Sequence, residues 1–243
     1  ISGSTSFNNN TAKYSGGAIY NNSGTLYLTH QGTDFNTKTN ITFTLNESNG
    51  SEEAMGGGAI YNNEDSFIKS AGVTFTNNLA SDSGGAIYNL GEYEAVNGDT
   101  FIGNSASYGG AIYNAAGANA NSTSNVFSGN SVTEDGGAVY NADSYYSSNS
   151  TYSNNSAKKG GAIYNTGTYN SDGDKFTSNS ASYGGAIYNT GTFNLNNAYL
   201  STFANNTSSS GLTNSSAIYN AKGATFNINN AKDTIDLDYA PHT

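Results

Sequence analysis

The residues of this sequence that could perform chemistry are three short acidic pairs and two isolated histidines. The pairs are Asp172/Asp174, Glu52/Glu53 and Glu134/Asp135, and the histidines are His30 and His242. Two carboxyl groups facing each other across a cleft can hydrolyse a glycosidic bond, and grouped carboxylates can bind calcium. The pairs are therefore the places to look for an enzyme of polysaccharides or for a metal site.

The spacing within the pairs disfavours both roles. In the two adjacent pairs the side chains would point to opposite sides of an extended chain, which favours a solvated edge. Asp172 and Asp174 could share one strand face, as a weak calcium site or a glycosidase pair, but a solvated turn is the favoured interpretation. The histidines lie far apart and are most simply surface residues. We assign no catalytic residue, no metal and no cofactor.

Composition narrows the class of protein further. The chain of 243 residues has 8 basic residues, all Lys, against 18 acids, a formal net charge of −10, which argues against a nucleic-acid partner. The lack of Cys excludes a disulfide scaffold and a thiolate site. No apolar stretch approaches the ~18 residues of a membrane-spanning helix. One style of sequence runs without a break from Phe7 to Asn220, so we interpret residues 1–243 as one domain. Since the sequence begins abruptly at Ile1 and stops soon after Pro241, we expect it to be a segment of a longer protein.

A repeated motif organises the whole sequence. One copy reads FTSNSASYGGAIYN, from Phe176 to Asn189, and it joins an aromatic-x-x-Asn group to a Gly-Gly-Ala-Ile-Tyr-Asn group. Eight copies occur, and they end at Asn21, Asn62, Asn89, Asn114, Asn141, Asn165, Asn189 and Asn220. The unit is 24 to 27 residues long, with two longer units. Such repetition is typical of a solenoid, in which each unit buries its apolar side against its neighbours.

Three short strand candidates within each unit predict an all-β fold, a three-sided parallel β-helix of about eight to ten coils. The first surrounds the motif aromatic and the second surrounds the motif Ile or Val. The third slot holds Leu26, Phe67, Tyr93, Tyr145, Tyr169, Phe193 and Phe226. Gly, Asn and Ser turns separate the slots, and abundant Gly with β-branched or aromatic anchors disfavours helices. We expect repeated Asn side chains to hydrogen-bond from coil to coil.

Strand alternation assigns the motif Ile to the core and the motif Tyr to the outside. The eight tyrosines form a predicted Tyr ladder of Tyr20, Tyr61, Tyr88, Tyr113, Tyr140, Tyr164, Tyr188 and Tyr219. Aromatic rings with hydroxyl groups suit contact with a sugar or a protein, so the ladder is the candidate recognition surface. The alternative is that stacked tyrosines simply stabilise the outer sheet.

The two long units predict loops that leave the rod, about 29–56 and 207–216, since insertions in a solenoid map to loops. The first range contains Glu47, Glu52 and Glu53. We expect partner-specific contacts at these three acids.

The tandem pairing of FxxN with GGAI resembles the chlamydial polymorphic outer-membrane protein family, related autotransporter passengers and β-helical surface adhesins. The matching residues include Phe75/Asn78 with Gly84-Gly85-Ala86-Ile87, and the resemblance covers about 7–220. It implies a secreted, right-handed parallel β-helix displayed at a bacterial cell surface, held at the outer membrane by parts of the protein outside this chain.

The resemblance also implies a function in adhesion without enzymatic activity. The expected partner is a host or neighbouring-cell surface protein or glycan, and end-to-end or lateral self-association is a further expectation. Two alternatives stay open: a β-helical polysaccharide lyase or hydrolase, and a purely structural component of a surface layer or filament. The first rests on fold analogy alone.

Overall fold

Parallel strands wind into a β-solenoid in the computed structural model, which describes residues 1–50, 56–209 and 217–230. Strands that follow one another in the chain fall in different sheets, and each strand pairs with its equivalents one repeat before and after. The all-β parallel solenoid predicted from the repeat is therefore confirmed. Each of the three long sheets contains eight strands, fewer than the ten coils at the upper end of the prediction.

The three long sheets correspond to the three predicted slots. The Phe sheet consists of Ser6–Asn8, Thr42–Thr44, Thr74–Thr76, Thr100–Ile102, Val126–Ser128, Thr151–Ser153, Lys175–Thr177 and Thr202–Ala204. The Ile-Tyr sheet consists of Ile19–Asn21, Ile60–Asn62, Ile87–Asn89, Ile112–Asn114, Val139–Asn141, Ile163–Asn165, Ile187–Asn189 and Ile218–Asn220. The third-slot sheet consists of Thr25–Leu28, Phe67–Ser70, Glu92–Ala95, Asn119–Thr123, Ser144–Ser148, Thr168–Asp172, Thr192–Asn196 and Thr225–Ile228.

Shorter elements complete each turn of the chain. After the Phe-sheet strand, several coils have a two-residue strand. Five of these strands form one short sheet: Thr11–Ala12, Glu47–Ser48, Leu79–Ala80, Ser105–Ala106 and Ser131–Val132. Two more, Ser180–Ala181 and Thr207–Ser208, pair with each other. One 3-10 helix, Ala198–Leu200, interrupts the described part of the last coils. In the part of the chain that the structure describes, no helix has the length and apolar character needed to cross a membrane.

The core is built from ladders of identical side chains. Phe75, Phe101 and Phe127 stack in parallel with ring centroids 4.8 Å apart, close to the spacing of paired strands. The motif Ile residues at 60, 87, 112, 163, 187 and 218 have no exposed surface, as expected from strand alternation. In-register stacking thus gives a continuous apolar interior although few residues of the chain are apolar.

Two Asn ladders close the corners of the coil, as the sequence predicts. In the first, Asn130 accepts hydrogen bonds from the backbone N and Nδ2 of Asn104, at 2.9 and 3.1 Å. Its own Nδ2 donates to Oδ1 of Asn155 at 3.0 Å. In the second, Asn114 Nδ2 donates to Oδ1 of Asn141 at 2.8 Å. The buried Asn amides therefore provide hydrogen-bond partners for backbone groups at the turns, which would otherwise have none.

The glycine pair lets neighbouring coils approach closely. Gly160 has a φ of 63°, which an L side chain rarely adopts. At Gly161 a Cβ atom would lie 2.1 Å from the carbonyl oxygen of Gly185 in the next coil, closer than real atoms approach. The first glycine makes the turn and the second removes a steric barrier to coil stacking.

The predicted third slot contains one wrong residue. Ile68, rather than Phe67, pairs with Tyr93 and lies fully buried, while Phe67 pairs with Glu92 on the outer side. Both residues are apolar, so the sequence pattern left two registers that differ by one position. In the next coil Ala120 occupies the slot and interrupts the aromatic ladder.

The first predicted loop, 29–56, is wrong in part, because it contains a coil. Thr42–Thr44 pairs with the strands on either side, and Glu47–Ser48 pairs with Thr11–Ala12 and Leu79–Ala80. The additional residues lie earlier, where Asn36 accepts a hydrogen bond from Nδ2 of Asn97 at 2.8 Å. This segment packs along the coils. Residues 51–55 lie outside the described residues.

In the second predicted loop, 207–216, Thr207–Ser208 forms a strand that pairs with Ser180–Ala181. Residues 210–216 lie outside the described residues.

Candidate functional site: the Tyr ladder

The Tyr ladder lies on the outer side of the Ile-Tyr sheet. The strand pairing aligns all eight tyrosines, and successive ring centroids lie 4.6 to 5.4 Å apart. The rings stack except between Tyr140 and Tyr164, whose planes are tilted by 32°. This placement follows from the Ile-Tyr-Asn sequence, since the buried Ile and the Asn at the corner leave the intervening Tyr on the opposite face. The predicted ladder therefore exists as one continuous row of rings.

Burial varies along the ladder. Tyr20 is 53% exposed, whereas Tyr61 and Tyr88 are each only 7% exposed and pack with Ala115 and Leu90 in a small apolar cluster. The remaining five tyrosines are half-buried; they are Tyr113, Tyr140, Tyr164, Tyr188 and Tyr219. An approaching molecule thus meets a continuous accessible stretch from Tyr113 to Tyr219, which we call the open Tyr stretch.

Stacking determines what the open Tyr stretch offers to a ligand. Each inner ring is covered on both faces by its neighbours, so the ring edges and hydroxyl groups point outward. Stacking of a sugar on a ring face is blocked along the row. The surface is suited instead to a series of hydrogen bonds and edge contacts, repeated once per coil.

A second column of side chains, not predicted from the sequence, borders the open Tyr stretch. It consists of the residues that precede the glycine pair in four successive coils: Tyr108, Asp135, Lys159 and Tyr183. We call these four residues the flanking column. The recurring position before Gly-Gly could have revealed it, but its residue types vary and carry no repeat signal.

The flanking column contacts the rings of the ladder. Tyr108 packs edge-on against Tyr140 with centroids 5.9 Å apart. Lys159 Nζ lies 5.8 Å from the ring centroid of Tyr164 and 5.5 Å from that of Tyr188. These distances fall in the range of cation–π attraction. Lys159 also lies 3.8 Å from the Asp135 carboxylate, so both charges are held at the edge of the ladder.

Burial makes several of the ladder hydroxyl groups weaker acids than an ordinary phenol. It raises the pKa of Tyr61 and of Tyr164 to about 12, with smaller contributions from neighbouring groups. The pKa values of Tyr113, Tyr140 and Tyr188 are raised for the same first cause. At neutral pH these phenols are uncharged and can both donate and accept hydrogen bonds.

Asp172 and Asp174 do not share a strand face, so the alternative of a calcium site or a glycosidase pair at these residues is wrong. Asp172 lies on the outer side, where its Oδ1 accepts a hydrogen bond from Asn197 at 2.8 Å. Asp174 lies fully buried in the core, not in a solvated turn. The turn residue between them, Gly173, has a φ of 67° and changes the direction of the chain. Residues two apart share a face only within a continuous strand, and the strand Thr168–Asp172 ends before Asp174.

The other acidic residues also lie apart. Glu134 is half-buried and pairs with Lys158 at 3.0 Å, whereas Asp135 is buried beside Lys159. The two side chains diverge as expected, but Asp135 does not lie on a solvated edge. His30 is exposed. Within residues 1–50, 56–209 and 217–230, no group of three or more His, Asp or Glu side chains could hold a metal ion.

Of the three acids predicted to contact a partner, Glu47 alone lies within the described residues. Glu47 belongs to the strand Glu47–Ser48 and is half-buried. Glu52, Glu53 and His242 lie outside the described residues. A partner contact at these three acids therefore stays a prediction.

One concave feature lies at the corner that follows the buried part of the ladder. It is an open cleft of about 460 Å³, with Phe67 and Leu90 in its wall and Glu64, Asp65 and Glu92 around it. The acids are spread over two coils. The cleft adds an acidic depression beside the ladder.

Comparison with protein families identifies the repeat. The model of the Chlamydia polymorphic membrane protein repeat matches six segments: residues 4–22, 72–90, 100–115, 126–142, 153–166 and 175–190. Six segments of the chain are thus similar to the polymorphic membrane protein repeat. The resemblance drawn from FxxN and GGAI is thereby confirmed.

The matches to the polymorphic membrane protein repeat follow the regular coils. The motif copies that end at Asn62 and Asn220 lie outside the matched segments, and both belong to the longer units. Comparison with the curated proteins and comparison with the solved structures give no match.

Proposed function

We propose that this protein is a non-enzymatic rod, displayed at a bacterial cell surface, that binds a host or neighbouring-cell surface molecule through the open Tyr stretch and the flanking column. The observation that carries the proposal is the regular row of half-exposed phenol groups on the outside of a rigid solenoid. The polymorphic membrane protein repeats support the surface location.

The chemistry of the surface supports a binding role. Tyr is enriched at protein interfaces, because one side chain provides apolar contact and a hydrogen-bonding group at low entropic cost. The ring of Tyr113 stacks on Tyr140 and that of Tyr164 stacks on Tyr188, so little conformational freedom is lost when a partner binds. Lys159 and Asp135 add one charge of each sign beside the row.

The geometry favours a protein or an extended glycan over a small molecule. The hydroxyl groups recur at about the strand spacing along the rod, and this spacing provides many weak contacts in a line. A partner with repeated hydrogen-bonding groups would gain affinity from several coils at once.

The test compares two sets of substitutions in the purified rod. Replacing Tyr113, Tyr140 and Tyr164 by Phe keeps the stacked rings and removes three hydroxyl groups. The control replaces Thr100, Thr151 and Thr177 by Ala on the outer side of the Phe sheet. We expect the wild-type rod and the control to bind cultured epithelial cells or glycans of an array, and the Phe variant to lose at least tenfold in affinity.

Two results would contradict the proposal. One is equal binding by the Phe variant and the wild-type rod. The other is failure of the correctly folded wild-type rod to bind any cell type or glycan. Release of reducing sugars or of unsaturated products from polysaccharides would favour an enzyme instead.

A further inference from the structure

A third polar ladder runs through the corner between the third-slot sheet and the Phe sheet. Its members in four successive coils are Asp99, Asn125, Ser150 and Asp174. The backbone N–H of Val73 donates to Asp99 at 2.9 Å, that of Asp99 to Asn125 at 2.9 Å, and that of Ser150 to Asp174 at 2.8 Å. At the equivalent position of each coil, an Asp, Asn or Ser side chain thus accepts a hydrogen bond from a backbone N–H of the preceding coil.

The two carboxyl groups of this ladder are fully buried. The second oxygen of Asp174 accepts hydrogen bonds from Ser171 Oγ at 2.7 Å and Tyr169 OH at 3.2 Å. Asp99 has a similar arrangement, with Tyr93 OH of its own coil at 2.8 Å and Ser70 Oγ of the preceding coil at 2.5 Å. Two similar carboxyl environments, each with one Ser and one Tyr hydroxyl donor, therefore lie three coils apart.

Neutral groups surround Asp174 on every side. Its own coil contributes Tyr169 and Ser171, and the preceding coil contributes Tyr145 and Tyr152. Phe193 and Leu195 are the inward residues of the next third-slot strand, whereas Asp172 and Lys175 lie on the outer side. These contacts place phenols and hydroxyls around the carboxyl group, without a cation.

Asp99 is likewise surrounded by neutral groups within the core. Ser70 and Ile68 face it from the preceding coil, Tyr93 from its own, and Ala120 and Ser122 from the next. Tyr145 is a further titratable group that interacts with Tyr93. Lys38 lies beside the turn at Gly98, on the outer side. The ion pairs within the described ranges join Lys69, Lys158 and Lys159 to acids other than Asp99 and Asp174.

A buried carboxylate without a cation is unfavourable, even when it accepts hydrogen bonds. Burial raises the pKa of Asp174 to about 7, against a reference of 3.8, and the hydrogen bonds from Ser171 and Ser150 oppose part of this rise. Burial raises the pKa of Asp99 in the same way. Protonated carboxyls fit both positions, since the phenol oxygens of Tyr93 and Tyr169 can accept the new O–H.

We propose that Asp99 and Asp174 make the rod pH-sensitive, so that acidification from pH 8 to pH 5 strengthens its core. The folded state binds these protons more tightly than the unfolded chain does. The stabilisation is fully present below the unfolded pKa, about 4, and is lost as the pH rises through the folded pKa. For each group, the ratio of folded to unfolded protein changes by up to about tenfold per pH unit in this window.

The test is a series of thermal melts at pH 5, 6, 7 and 8. The wild-type protein is compared with the Asp99→Asn/Asp174→Asn double variant, because Asn125 shows that this ladder accepts Asn. The control is Asp172→Asn, two residues from Asp174 on the outer side. We expect the wild type and the control to melt at least 5 °C lower at pH 8 than at pH 5, and the double variant to lose most of this difference.

A direct readout accompanies the melts. Infrared spectroscopy of the wild type near pH 6 should show the C=O stretch of protonated carboxyl groups, which the double variant lacks. If the double variant does not fold, the two single Asn variants are measured, and each is expected to lose part of the pH dependence. A wild-type melting temperature that is constant or rises with pH overturns the proposal. So does a pH dependence that persists unchanged in the Asn variants.

Discussion

Ile187 and Tyr188 are adjacent on one strand, and their side chains lie on opposite sides of the sheet. Ile187 pairs with Ile163 and Ile218 and has no exposed surface. The ring of Tyr188 stacks on Tyr219 at 4.6 Å on the outer side. The strand thus separates the ladder that holds the core together from the ladder that contacts the solvent.

This separation predicts unequal effects of substitution. Ile187→Asp places a charge in the core without a partner, and we expect it to unfold the central coils, since total stability is only about 5–15 kcal/mol. Tyr188→Ala removes stacking at a half-buried site and should cost about 1–2 kcal/mol. Urea unfolding monitored by circular dichroism measures both. Equal destabilisation by the two changes would show that the Tyr side is part of the core.

The Asn ladder predicts a large effect from a polar residue. Asn130→Ala removes the acceptor of two hydrogen bonds from Asn104 and leaves the carbonyl group of Phe101 without its donor. We expect a loss of about 3 kcal/mol in the free energy of unfolding. The control is Asn121→Ala on the exposed side of the third-slot sheet, which should change stability by less than about 0.5 kcal/mol. Similar values for both variants would contradict a structural role for the ladder.

The glycine pair allows a comparison of two Gly→Ala changes. At Gly161 a Cβ atom would lie 2.1 Å from the carbonyl oxygen of Gly185 and 2.6 Å from that of Ser180, so coil stacking must be distorted. At Gly129, where φ is 65°, no atom lies within 4 Å, and only backbone strain of about 1–2 kcal/mol is expected. Differential scanning calorimetry should show a much lower melting temperature for Gly161→Ala. The reverse order would mean that the coils do not approach closely at this glycine.

The burial of the Tyr ladder predicts a delayed alkaline titration. The pKa of Tyr61 and of Tyr164 is about 12, above the reference of 10.0, because burial disfavours the phenolate. The stabilisation from these groups is complete below about pH 10 and is lost as the pH rises through 12. Ultraviolet difference spectra at pH 11 should therefore show less phenolate in the folded protein than in urea. The Tyr61→Phe/Tyr164→Phe variant should lose part of the late-titrating signal, and a folded protein that titrates like the denatured chain would contradict the burial.

The repeat alone determined the fold class and the orientation of the motif residues. Strand alternation has a period of two, so one buried Ile per coil places the following Tyr outside in every copy. The coil-to-coil Asn bonds also follow from the sequence, because identical residues at one register position come into contact when coils stack. The repeat also indicated the resemblance that the family comparison confirmed.

Tertiary structure decided the features that one strand cannot specify. Phe67 and Ile68 are both apolar, and only pairing with Glu92 and Tyr93 selects which of them enters the core. The strand Thr42–Thr44 is identified as part of a coil by its pairing with the strands on either side, because the motif spacing in this long unit is irregular. The burial of Asp174 depends on the turn at Gly173, on the Ser171 hydroxyl group and on the backbone N–H of Ser150 in the preceding coil. A buried carboxyl group needs such hydrogen-bond donors, and the repeat pattern does not show where they converge.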